Sequence, residues 1–458
     1  MRNAQHPAPA STELPDLPHR LLGVWHAASV CVGMVIGAGI FKTSPAAAAN
    51  LPGSMSLMLA WFGGGLFALV GALCFAEMAA AFPDAGGDYF FLRNAYGSWI
   101  GFLFAWSRFA VIHTGSMAML AFVFGDYLGQ VVHFGSHDSE LFATFIILVL
   151  MAINLAGIRV GIGTQVGLML IVATGLASVA LAGAWLWWQG TPPPPVLSTA
   201  PAAPHFGAAL VYIFLAYGGW NDAATLSAEM RDEHHGIRLA LVLGMSAVTV
   251  LYLLANWGYL QGLGYPGLAA SDAPAAQLML RAFGRPGQYA IIAVVAITTI
   301  TSMNAIMITG ARTTYAAARD TGVLPSLSRW HAVRGTPIAA VIAITVVSLL
   351  LVGFGSLARG GFIAIVDYMS PVFWLFMTLS ALAVIVLRRR FPAVRRPYRA
   401  PLFPLLPLLF ALGSAYVFYS SVAYLKQGAL AGVAVLAVGA VLLLPLRRRG
   451  RASRRARP

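Results

Sequence analysis

Residues 32–41 read VGMVIGAGIF and residues 215–221 read LAYGGWN. Each lies inside an apolar run long enough to cross a bilayer, and each places glycines in the middle of that run: Gly33, Gly37 and Gly39 in the first, Gly218 and Gly219 in the second. Glycine weakens a helix and allows backbone conformations that a Cβ forbids. A single Gly-x-Gly inside a span most often serves helix packing. Two glycine-interrupted spans in corresponding positions of two halves point instead to a transporter built from inverted repeats.

Working outward, a spanning helix needs about 20 apolar residues. Twelve runs meet that length, at 23–43, 54–80, 98–124, 140–157, 164–188, 206–229, 238–260, 288–317, 337–353, 361–387, 402–423 and 428–446. The interrupted runs are the first and the sixth, so they cross in opposite directions. The longest connections are 189–204, with Pro192 to Pro195 in a row, and 261–287, with three prolines. The expected fold is an all-α polytopic membrane protein of twelve helices, a five-plus-five inverted repeat with helices 1 and 6 broken. Its parts are a tail at 1–22, a first repeat at 23–188, a second at 206–387, two further helices in 402–446 and a basic tail at 447–458.

Composition agrees. Of 458 residues, 59% are hydrophobic and 10% charged, against roughly 25% charged in soluble domains. A transmembrane barrel is excluded because the runs are long and do not alternate. Two cysteines, Cys31 and Cys74, exclude a disulfide scaffold, and both fall inside apolar runs. The net charge of +14 reflects topology rather than nucleic-acid binding. With the N-terminus inside, 23 of the 29 Lys and Arg fall on the inner face, five on the outer, and Arg108 within a span; cytoplasmic loops are the basic ones. Residues 1–22 hold four prolines and no apolar run, which marks a polar tail rather than a cleaved signal. The basic end suits anionic lipid.

A helix broken in mid-membrane exposes backbone groups that must meet something polar. Past Gly39 a new half-helix starts, and the free N–H groups of Ala38, Gly39 and Ile40 suit a carboxylate. Before Gly37 the carbonyls near Val35 and Ile36 are free, as are those near Leu215 and Gly218, and these suit an ammonium. The four ends form a slot for a free α-amino acid that needs no charged side chain.

These residues resemble the amino acid–polyamine–organocation superfamily, and most closely its L-type amino acid transporters. Besides residues 32–41, the segments FPDAGGDYFFLRNAYGS (82–98), LAYGGWNDAATLSAEMRD (215–232) and SMNAIMITGARTTYAAARDTGVLP (302–325) are similar to the family's first inner loop, sixth helix and eighth helix. The resemblance implies secondary active transport of amino acids, by proton symport or exchange. It implies that Ala38 and Gly39 hold the carboxylate, that Val35, Leu215 and Gly218 offer carbonyls to the ammonium, and that Asn221 is a polar pocket residue. Ile36, Gly37, Phe214 and Tyr217 complete the expected substrate site, Tyr217 as a shield. Three departures stand out. Ala38 replaces a hydroxyl, Leu215 replaces a gating aromatic, and Thr174 aligns with a lysine that similar proton-coupled permeases carry. Relatives of animal origin form a disulfide to a glycoprotein partner in the outer loop. Residues 126–140 contain no cysteine, so no disulfide-linked ancillary subunit is expected, and a bacterial inner membrane fits.

Ionisable groups within spans are functional candidates. Asp222 follows the second break, Asp367 lies in span 10, and His113 and Arg108 lie in span 3, five apart and therefore turned away from each other on an α-helix. Asp222 is either a substrate or proton handler or a carboxylate favoured by a half-helix start. His113 is either a titrating group or a hydrogen-bonded core residue. Thr301 and Ser302 resemble hydroxyls that complete a sodium site in distant relatives with this fold, though Ser and Thr more often bond back to their own helix. Glu77 and Glu229 read as anchors at inner helix ends. His133, His137 and Asp138 read as a solvated loop, and no metal or cofactor is expected. No nucleophile elbow, zinc motif, P-loop or paired haem ligands occur, which leaves an enzyme disfavoured. The expected substrate is a neutral amino acid; a cationic amino acid or amine, with Asp222 or Asp367 as counter-ion, is the alternative.

Overall fold

The computed structural model describes residues 23–82, 87–157, 163–195, 205–221, 236–321, 324–331, 336–358, 360–424 and 426–455. Within these the elements are helical: α1 (Val24–Val35), α2 (Ile40–Ala48), α3 (Ser54–Ala81), α4 (Asp88–Tyr96), α5 (Ser98–Ser107), a π-helical turn (Arg108–His113), α6 (Thr114–Leu128), α7 (Asp138–Leu155), α8 (Gly163–Trp188), α9 (Phe206–Ala216), α10 (Gly236–Ala269), α11 (Pro274–Thr321), α12 (Ile338–Ser356), α13 (Gly361–Arg390), α14 (Leu405–Tyr424) and α15 (Lys426–Arg455). Their apolar runs bury backbone polarity inside each helix, as a lipid environment demands.

Nine helical stretches among the described residues are long and apolar enough to cross a membrane, and α1 with α2 forms a tenth, bent by 59° at residues 36–39. Two shorter apolar helices, Phe206–Ala216 and Gly428–Leu442, stand at the sixth and twelfth runs. The chain is thus a polytopic helical membrane protein. The 261–287 connection departs from expectation: it is largely helical. There α10 continues past a kink at Gly264 (φ 71°), and α11 begins at Pro274 and kinks at Gly284 (φ 68°). Each kinking glycine stands two residues before a proline, which costs a helix a donor and forces the turn. At the other end α15 runs on to Arg455, so the basic tail starts as helix.

Small residues let the helices approach. A Cβ at Gly183 of α8 would strike the backbone of Gly258 on α10, and one at Gly244 would meet Cys31 of α1. Such close approach is how helices pack where lipid competes for apolar surface. Exposed tryptophans mark two levels: Trp187 and Trp188 at the end of α8, and Trp25 and Trp99 at the starts of α1 and α5. The second level is also the arginine-rich face. There the buried Glu77 of α3 takes a bidentate pair from Arg388 at 2.5 Å each, accepts the Ala400 N–H at 2.8 Å, and has Arg396 at 3.6 Å. The Arg388 guanidinium covers the Phe403 ring at 3.8 Å. Glu77 therefore anchors the 391–404 segment, as expected of it. Burial pushes the Tyr398 hydroxyl on that segment well above its ordinary pKa.

Candidate substrate site at the two breaks

The first break falls where the sequence put it. Val35 ends α1, the Ile36 N–H still bonds to the Val32 carbonyl at 2.9 Å, and Ile36 then turns to extended backbone (φ −73°, ψ 99°). α2 restarts with Phe41 N–H on Ala38 O (3.2 Å) and Lys42 N–H on Gly39 O (2.9 Å). The N–H groups of Ala38, Gly39 and Ile40 find no hydrogen-bond acceptor among the described residues. These are the orphan donors of a helix start, carrying its partial positive charge. Gly37 and Gly39 are half-buried, whereas Ala38 and Ile40 are buried. A Cβ at Gly37 would meet nothing within 4 Å, so open space lies beside that residue.

The second break begins at Ala216. Residues 217–219 form a turn, with Tyr217 N–H on Ile213 O at 3.2 Å and Gly218 N–H on Leu215 O at 3.0 Å. Gly219 is left-handed (φ 95°), and a Cβ on it would overlap the Met34 carbonyl oxygen. The two breaks therefore touch, Gly219 against residues 34 and 35, and Gly39 beside the Ala216 Cα. Trp220 is buried, and Leu215, Gly218 and Asn221 are half-buried.

One residue that the sequence reading missed joins them. The Tyr252 hydroxyl of α10 lies 3.2 Å from Val35 O and 3.0 Å from Ala216 O. Nothing in the apolar run 238–260 distinguishes this tyrosine from a lipid-facing one. Tyr252 packs with Trp61 (5.6 Å between centroids) and Tyr217 (5.0 Å) in a buried cluster.

The expected site residues have further contacts. Tyr217 is fully buried and donates its hydroxyl to Trp61 O at 2.9 Å, which braces it against α3. Phe214 turns away from the breaks. It stacks on Phe67 at 4.3 Å and lines a groove of about 580 Å³ between α3, α9 and α14, whose walls include the exposed Leu59, Leu66 and Leu409. Val35 O and Leu215 O are already engaged, by Tyr252 and by the Gly218 N–H, although a carbonyl oxygen can accept a second donor. Thr301 bonds back to Ile297 O at 2.7 Å. Thr174 is exposed on α8. Asp222 and Glu229 lie outside the described residues.

Arg108 and His113 do meet, contrary to the α-helical expectation. The π turn uses i→i+5 bonding, which puts residues five apart on one face, and Arg108 Nε and Nη2 approach His113 Nε2 at 3.2 and 3.0 Å. His113 is buried, with its Nδ1 against Gly310 of α11. Asp367 pairs with Tyr212 of α9 at 3.3 Å and not with Arg108. At the start of α7, Asp138 accepts the N–H groups of Phe134 and Gly135 at 2.9 Å each, while His133 and His137 in the preceding loop are exposed.

A polytopic helical protein with two facing helix breaks and unspent backbone donors between them has the make-up of a membrane transporter for small solutes. Residues 22–443 match the amino acid permease family, and the chain belongs to it. It is 27% identical over 427 residues to the human b(0,+)-type amino acid transporter 1, covering 91% of this chain and 84% of that one. It is 30% identical over 407 residues to the human large neutral amino acids transporter small subunit 2, covering 85% and 74%. The protein is an amino acid transporter and not an enzyme.

Proposed function

We propose that the chain carries neutral L-amino acids by alternating access, holding the shared head group of the substrate at the two breaks. The carrying observation is the start of α2: three unpartnered N–H groups at Ala38, Gly39 and Ile40, beside the open space at Gly37. A carboxylate there gains charge-assisted hydrogen bonds of about 1.5–3 kcal/mol each. The ammonium is taken by the remaining lone pairs of Val35, Leu215 and Gly218, with Asn221 at the rim. Neutral substrates fit because the described residues of the breaks offer backbone dipoles rather than charged side chains, and one relative is named for large neutral amino acids.

The test is counterflow in proteoliposomes. External labelled leucine should accumulate against preloaded leucine, and Gly39→Leu should abolish it. Unsaturable flux, or transport surviving in Gly39→Leu, refutes the slot. Cationic substrates form the second reading, favoured by the b(0,+)-type relative and by Asp222 beside the second break. Arginine uptake by the parental protein decides it: absence of saturable arginine uptake removes that reading, and loss of arginine uptake in Asp222→Asn with leucine uptake intact assigns the counter-ion to Asp222. Uptake under an imposed pH gradient, then with internal amino acid preloaded, separates proton symport from exchange; His113 and Asp367 are the coupling candidates.

The layout we infer has twelve spans, a five-plus-five inverted repeat and both termini on the arginine-rich face, taken as the cytoplasmic side of a bacterial inner membrane. Both cysteines of the chain, Cys31 and Cys74, are buried, so any ancillary subunit would attach without a disulfide, unlike an arrangement that needs an exposed thiol.

A further inference from the structure

On the face opposite the arginines, α2 carries a buried cation. All nine residues of α2 are buried, while Trp25 and His26 at the far end of α1 are exposed. Among those nine is Lys42, one turn beyond Gly39 on the same side of the helix. Its ammonium lies 2.6 Å from the Asp126 carboxylate of α6, 3.2 Å from the Asp272 carboxylate and 2.7 Å from the Asp272 carbonyl. The second Asp126 oxygen accepts the Ser139 hydroxyl of α7 at 2.6 Å. The neighbouring residues repeat the join without charge: Tyr127 donates to Phe41 O at 2.8 Å and accepts the Ala275 N–H at 3.4 Å. The side chains differ in exposure, at 8% for Lys42, 19% for Asp126 and 84% for Asp272. The Asp126 pair is therefore the one shielded from water, and the Asp272 carboxylate is screened.

We propose that Lys42 is a positioning residue for transport: its ammonium locks α2 to α6 and to the 270–275 segment, and that lock must part before this face can open to the Gly39 end of the slot. The proposal rests on the alternating-access reading. α2 cannot swing away from α6 without separating Lys42 from Asp126 and Phe41 from Tyr127. Loss of the Lys42 charge leaves Asp126 without its cation, and loss of the Asp126 charge leaves Lys42 only the exposed Asp272 carboxylate, so either change favours a form in which water reaches the remaining group.

Ser44 reports on the lock. It is fully buried two residues beyond Lys42, and cysteine nearly matches its size. The purified Ser44→Cys protein in detergent is exposed to a hydrophilic methanethiosulfonate, with the parental protein as the background for Cys31 and Cys74. In that Ser44→Cys protein, Lys42→Met and Asp126→Asn should each speed modification of the introduced thiol at least tenfold, and combining the two should label it no faster than the quicker of them alone. Unchanged rates with either change alone, or multiplied rates with both together, overturn the proposal. If Lys42→Met fails to fold, Asp126→Asn carries the test alone, since Lys42 keeps its Asp272 contacts. Labelling needs no substrate, so the two readings fail separately. Accelerated labelling without leucine counterflow keeps the lock and refutes the slot; counterflow without acceleration does the reverse.

Discussion

A methyl group at Gly219 and one at Gly37 have opposite fates. At Gly219 it meets the Met34 carbonyl in a backbone already left-handed, so Gly219→Ala should cost about 3 kcal/mol, seen as a lower melting midpoint in detergent together with lost uptake. At Gly37 it enters open space. Gly37→Ala should shift stability by less than about 1 kcal/mol yet raise the leucine KM, because the methyl stands beside the proposed carboxylate position. Tyr252→Phe removes the hydroxyl shared by Val35 and Ala216 and should cost about 1–3 kcal/mol, again read by thermal melting. The glycines could be recognised in the sequence because they recur in corresponding spans of two halves; glycines alone do not break a span, since α3 runs on through Gly63, Gly64 and Gly65. Tyr252 could not, since a tyrosine in an apolar run has the same neighbours in sequence whichever way its hydroxyl points.

Among the elements, the bend between α1 and α2 was legible for the same reason, and its 59° follows from extended backbone at Ile36. The π turn was not. Its sequence, RFAVIH, carries no proline or glycine to mark it. The pair can be tested as a unit. His113→Leu alone leaves the guanidinium without its acceptor and should cost about 2 kcal/mol. Arg108→Leu with His113→Leu should recover most of that, because removing both polar partners leaves neither stranded. Thermal melting of the three proteins checks it, and a double variant as unstable as His113→Leu alone would disprove the pairing. The 261–287 segment misled for a related reason: its prolines read as loop markers, but Pro266 and Pro286 each follow a kink that lets the helix resume.

Across the whole molecule, the two faces are held by different chemistry. One is fastened by Lys42 on α2, the other by Glu77 gripping Arg388 and the 391–404 segment. Glu77→Gln should lower stability by about 3 kcal/mol, with the melting midpoint falling more than for Asp272→Asn, whose carboxylate is exposed. Charge bias and run length made the helical membrane class readable before any coordinates, whereas the partners of Glu77, more than 300 residues away, depend on tertiary packing alone. The π turn also has a long reach. One residue adds about 100° and 1.5 Å to an α-helix, so excising a single residue between Arg108 and His113 would rotate everything beyond it by that angle. Asp126 and Tyr127, one helix further along, would then face away from Lys42 and Phe41. The extra residue acts as a phase setting for the far end of the rod, and a chain that lost it would have to rebuild its fastening from other side chains.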